Sequence, residues 1–142
     1  MKLHKMKIAE RQIHTAIDIF LAGNDYLSVV TLAGAGEDIL GKLLARHSQK
    51  NAVDNLKELD KRISGGREFK IVNQEINGFR NSLKHANDET EDEMDVAEGQ
   101  EHAIAMLSRS LHNYNLLEKR LSNKMEQFLQ WLRNNRPDLF KP

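Results

Sequence analysis

Apolar residues recur along this chain at steps of three and four, the period of amphipathic helices. Ile13, Ile17, Phe20 and Leu21 share one side of a first helix. Gly23, Asn24 and Asp25 end it and supply an N-cap for a second. That second helix aligns Leu32, Gly36, Ile39, Leu40 and Leu43. Its centre, Ala33-Gly34-Ala35-Gly36, is a poor helix former, each glycine costing about 1 kcal/mol against alanine. Small residues there predict that another element packs close to the backbone. A third helix opens at Asn51-x-x-Asp54, turns Ala52, Leu56, Leu59 and Ile63 inward and closes at Gly65-Gly66. A fourth runs from about Arg67 to His85 on Phe69, Val72, Ile76, Phe79 and Leu83.

A fifth helix carries Ile104, Leu107, Leu111, Tyr114, Leu117 and Leu121. Asn123-x-x-Glu126 resembles a capping box and opens a short sixth helix with Met125, Phe128, Leu129 and Leu132; alternatively, residues 95–134 form one long bent helix. Strand-type alternation is missing. The expected fold is all-α, an up-and-down bundle of about five helices with antiparallel neighbours. Residues 1–134 form one domain with an acidic loop at about 87–96, and residues 135–142 form a flexible tail.

Composition narrows the chemistry. The chain lacks cysteine, which excludes a disulfide scaffold, thiolate zinc ligands and a cysteine nucleophile. The basic start at Lys2, Lys5 and Lys7 is not followed by the apolar run of a signal peptide, and no stretch reaches the roughly 18 to 20 apolar residues of a membrane span. A cytoplasmic protein without membrane contact is expected. Net charge is zero, yet residues 88–101 hold 8 of the 21 acidic residues and no lysine or arginine. The remainder carries 21 basic residues against 13 acidic ones, a basic body suited to a polyanionic partner.

The most informative stretch is Phe79-Arg80-Asn81-Ser82-Leu83-Lys84-His85. On a continuous helix Asn81 and His85 would lie side by side, as would Arg80 and Lys84, whose repulsion a bound anion would relieve. Arg80 and His85 would stand about 140° apart around the axis and roughly 7.5 Å along it. An Arg-x4-His spacing arises about once by chance in such a composition, so its meaning depends on its surroundings.

Those surroundings are Thr31-Leu32-Ala33-Gly34-Ala35-Gly36-Glu37-Asp38-Ile39-Leu40 on one helix, Phe79 to Ala86 on a later one, and Ala103, Leu107, Arg109, Asn113 and Tyr114 on the last. Together they resemble the HEPN superfamily over most of residues 10–120. The resemblance implies a helical bundle that dimerises. It also implies Arg80 and His85 as a catalytic pair, with Asn81, Glu37 and Lys84 in support and no metal or cofactor. Many such domains are metal-independent ribonucleases, commonly toxins with a cognate antitoxin, and others only bind. His85 would exchange a proton with a ribose 2′-hydroxyl or the leaving oxygen, and Arg80 would stabilise charge on the phosphate. The alternative is a non-catalytic dimer that binds a nucleotide, RNA or a protein.

Other residues suggest less. Glu10/His14 and Glu98/His102 have helical spacing but match no metal motif, and surface pairing is the simpler reading. The Ala-Gly run lacks the pattern of a phosphate loop. Tyr114 and Trp131 fit a core or an interface as well as a stacking platform.

Overall fold

The computed structural model describes residues 1–47, 50–64 and 77–140. It is all-helical. α1 spans Lys5–Leu21, α2 Tyr26–Arg46, α3 Ala52–Ser64, α4 residues 77–82, α5 Gly99–Glu118 and α6 Asn123–Asn135. Short 3₁₀ turns cover Glu89–Glu91 and Pro137–Phe140. Among the described residues no helix is long and apolar enough to cross a membrane.

Local chemistry explains the breaks. Gly23 takes a left-handed φ of 69°, and Asp25 accepts the Ser28 N–H at 3.2 Å as the N-cap of α2. α3 opens on a reciprocal pair: Asp54 N–H donates to the Asn51 side chain at 2.9 Å, and Asn51 N–H to the Asp54 carboxylate at 3.1 Å. The stretch after α5 is two helices rather than one. Lys119 turns left-handed at φ 60°, and Ser122, one residue before the expected box, accepts the Met125 N–H at 3.3 Å.

Side-chain pairings fix the directions. Phe20 meets Tyr26 while Ile13 lies against Gly36, so α1 and α2 are antiparallel. Gln100 bonds Tyr26 at one end and Arg109 bonds Glu37 further on, so α5 runs parallel to α2. α4 runs against both, with Asn77 on Arg109 and Arg80 on Gly34. α6 parallels α1, joined by His14 to Ser122 and Phe20 to Trp131. The result is an up-and-down bundle.

α2 sits at its centre, packed on α1 and α5. Burial on two sides explains why its inner surface is wider than the expected stripe. Val29, Val30, Ala33, Leu40 and Leu44 are enclosed, whereas Leu32 and Ile39 are only partly buried. The remaining core comes from Ala9, Ile13, Ile17 and Phe20 of α1, Leu107, Leu111 and Tyr114 of α5, and Met125, Phe128 and Leu132 of α6. Phe20 anchors an aromatic cluster, edge-on to Phe128 at 5.3 Å and to Trp131 at 4.8 Å.

Two expectations need correction. Of the inward set on α3, Ala52 is buried, but Leu56 and Leu59 are 38% and 48% exposed. α3 packs through its first turns, where Asn55 reaches His112 of α5, so its apolar stripe is not fully covered by the described residues. The Ile63 side chain lies outside the described residues, as do Phe69, Val72 and Ile76. The second correction is at the end of α4. The helix stops at residue 82, where Lys84 N–H turns back to the Asn81 carbonyl at 3.2 Å in a tightened last turn. His85 therefore stands beyond the helix, and the expected side-by-side placement with Asn81 does not form.

At the C-terminal end α6 continues to Asn135, and Arg136 pairs with Glu101 and Asp138 ahead of the 3₁₀ turn.

Candidate functional site

The arginine of the Arg-x4-His block points into the bundle, towards α2. Arg80 Nη1 donates to the Gly34 carbonyl at 3.2 Å and lies 3.5 Å from Glu37 Oε2. This contact depends on the glycine, because a Cβ at Gly34 would overlap Arg80 Cδ. Nearly three turns along α5, Arg109 Nη2 reaches the same Glu37 oxygen at 3.0 Å and the Asn77 side-chain carbonyl at 2.8 Å. One carboxylate from α2 thus meets cations from α4 and α5.

The cluster is poorly hydrated. The side chains of Glu37, Arg109 and Arg80 are 4%, 10% and 18% exposed. A carboxylate so enclosed needs a cation beside it, and two charge-assisted contacts supply that. Burial pulls the Arg109 guanidinium below its ordinary value, Glu37 acts in the opposite direction, and nearby Arg80 adds to the lowering. Arg80 Nε is buried and makes no hydrogen bond among the described residues, and Nη2 likewise donates to none of them.

The cluster forms one wall of a cleft of about 440 Å³ between α2, α3 and α4. Glu37, Asn77, Arg80, Asn81 and Arg109 line its inner side, and Lys42, Asn51, Asp54 and Lys57 line the rim. A smaller cleft of about 260 Å³ adjoins it, where Lys84 and Arg80 face Thr31 and Asp38. The lining combines cations, amides and carboxylates, a surface suited to a polar, charged ligand.

Arg80, Asn81, Glu37 and Lys84 therefore gather around α2 as a group. His85 does not join them. It is exposed, lines neither cleft and makes no hydrogen bond among the described residues. The acidic loop starts at Asp88, four residues after Lys84, and only its far end is distant from Glu37. Gly99, at its end, packs on Tyr26 and Leu27, about ten residues before Glu37 on α2 and so roughly 15 Å from it along the axis. Asp88 accepts the Thr90 N–H at 2.9 Å, and the Glu91 side chain accepts the Asn87 N–H at 3.2 Å.

Three participants carried no assigned role in the sequence reading. Arg109 follows Met106 by three residues on the same side of the helix, a placement that calls for an anionic partner where that side is buried. Asn77 gave no signal. Asn113, fully buried, accepts the Ala52 N–H at 2.8 Å and donates to the Glu37 carbonyl at 3.4 Å, fixing the start of α3 beside the cleft.

The remaining histidine pairings are structural. Glu10 accepts a hydrogen bond from the Tyr114 hydroxyl at 2.9 Å, and His14 shares one with Ser122 at 2.8 Å. Burial, with the Glu10 contact, pushes the Tyr114 hydroxyl up to about 12. His102 stacks on Phe79 with ring centroids 3.9 Å apart. Among the described residues no group of three or more histidine, aspartate or glutamate side chains could hold a metal ion.

No family model, curated protein or solved structure matches this chain.

Proposed function

We propose that this protein is a HEPN-like helical module that binds RNA, seating a backbone phosphate against Arg80 in the cleft between α2, α3 and α4. The reading rests on one observation. Arg80 borders the cleft, and among the described residues its Nη2 donates to none and its buried Nε has no acceptor. A phosphate oxygen is the acceptor that a forked guanidinium best fits. Asn81 and Lys84 flank it and would contact the adjoining sugar or phosphate. The basic excess outside residues 88–101 would draw RNA towards the protein. The module would act as a homodimer, as the resemblance implies, and an antitoxin-like protein partner belongs to the same reading.

Fluorescence anisotropy with a labelled 12-nucleotide single-stranded RNA tests it. Wild-type protein should bind with an affinity that falls as salt rises, and Arg80→Ala should weaken binding about tenfold, the loss of one or two charge-assisted hydrogen bonds. Salt-independent binding, or binding indifferent to Arg80→Ala, would reject the proposal.

A second reading, metal-independent RNA cleavage, has its own observation. His85 is exposed and makes no hydrogen bond among the described residues; it follows Arg80 by five residues, available to a strand lying along the end of α4. Cleavage in EDTA that disappears in His85→Ala would establish it. Intact RNA after prolonged incubation, or cleavage unchanged in His85→Ala, would leave binding alone.

A further inference from the structure

Glu37 receives two arginines on one oxygen, and they are not equivalent. Arg109 is the nearer, at 3.0 Å, and is pinned from its other side by Asn77 at 2.8 Å. Arg80 stands at 3.5 Å, the outer limit of a hydrogen bond, and is the more exposed of the two. Arg80 Nε is also buried with no acceptor among the described residues, a cost that moving to a ligand would remove. What separates the two arginines is distance, exposure and the Asn77 contact.

We infer that Arg109 is a positioning residue: it holds the charge of Glu37 so that Arg80 can leave that carboxylate for a phosphate of bound RNA. This rests on the RNA-binding reading above and adds a division of labour to it. A carboxylate 4% exposed cannot be left without a cation, so Arg80 could not turn away if it were the sole partner. Arg109 removes that restriction. Gly34 offers no side chain to impede Arg80 as it moves across α2. Without Arg109, Glu37 would bind Arg80 as its only close cation and compete with the ligand for it.

The same anisotropy assay tests this with Arg109→Gln, Glu37→Gln and the double variant, each at a temperature where its melting curve shows a folded protein. Arg109→Gln should bind about tenfold more weakly, and its logarithmic salt dependence should lose about 0.7, one phosphate contact on a single strand. Glu37→Gln should bind more tightly than wild type, because it releases Arg80. The double variant should recover to within about threefold of wild type and regain the salt slope. If Arg109→Gln does not fold, the other two variants still decide the matter.

A merely structural Arg109 gives a double variant that binds no more tightly than Arg109→Gln alone. The inference is overturned if Glu37→Gln binds no more tightly than wild type, if Arg109→Gln leaves affinity and slope unchanged, or if the double variant does not recover. Wild-type protein that fails to bind RNA removes the RNA-binding reading and this inference together. RNA binding with an indifferent Arg109→Gln removes only this one.

Discussion

Arg80 crosses α2 directly over Gly34, its Nη1 donating to the Gly34 carbonyl at 3.2 Å and its aliphatic stem filling the space a Cβ would take. Replacing Gly34 with alanine should push the Arg80 stem off α2 and its guanidinium out of the cleft. Helix propensity gains about 1 kcal/mol, which offsets much of the crowding, so thermal stability should change by less than about 2 kcal/mol. RNA affinity, measured by anisotropy, should nonetheless fall towards that of Arg80→Ala. Affinity equal to wild type would show that the contact with Gly34 does not position Arg80.

Removing Glu37 has a different consequence. Glu37→Ala leaves Arg109, a guanidinium 10% exposed, beside an emptied site. Losing one member of a buried ion pair costs about 3 to 5 kcal/mol, and urea denaturation should show a loss of that order. A loss below about 1 kcal/mol would mean that water or another group takes over the carboxylate's role.

Asn113 joins three elements through one side chain, and its loss should be felt at α3. Asn113→Ala leaves the Ala52 N–H without its acceptor, in a position where Asn113 is fully buried. The expected destabilisation is about 1 to 3 kcal/mol, with faster hydrogen exchange at Ala52 than in the core of α1. Unchanged exchange at Ala52 would contradict that role.

Stability should also respond to pH through His14. Burial pulls this imidazole below its ordinary 6.5, and Lys124 and Lys7 act in the same direction, against the opposing pull of Glu10 and Asp18. The unfolded chain therefore takes up the proton first as pH falls. The stability His14 contributes is complete above about 6.5 and is lost as pH drops through its lower folded value. Thermal melts from pH 8 to pH 5 should decline over that window, and His14→Gln should flatten the decline. An equal decline in His14→Gln would place the effect elsewhere.

Much of the bundle was legible because helix period and caps are local. Asp25, Asn51 and Asp54 announce their helix starts, and the alternating steps of α1 and α5 mark the faces they bury. α2 was read too narrowly, since a sequence stripe describes one buried side and α2 has two. The exposed Leu56 and Leu59 look like any other apolar stripe until the neighbouring elements are placed. At the candidate site, Arg80, Asn81, Lys84 and Glu37 line two adjoining clefts, and Arg109 joins them only through the parallel register of α2 and α5. His85 lies past the point where the backbone of Lys84 folds back on Asn81, so helical spacing does not place it.

The central claim is that Arg80 receives RNA in the cleft, and side-chain ¹⁵N NMR of the arginine Nε groups tests it most directly. Titration with the 12-nucleotide RNA should shift the Arg80 Nε resonance in a saturable manner, with backbone shifts clustered at Glu37, Asn77 and Asn81. Saturating RNA that moves only the residues around Lys2, Lys5 and Lys7, with Arg80 Nε unchanged, would contradict it.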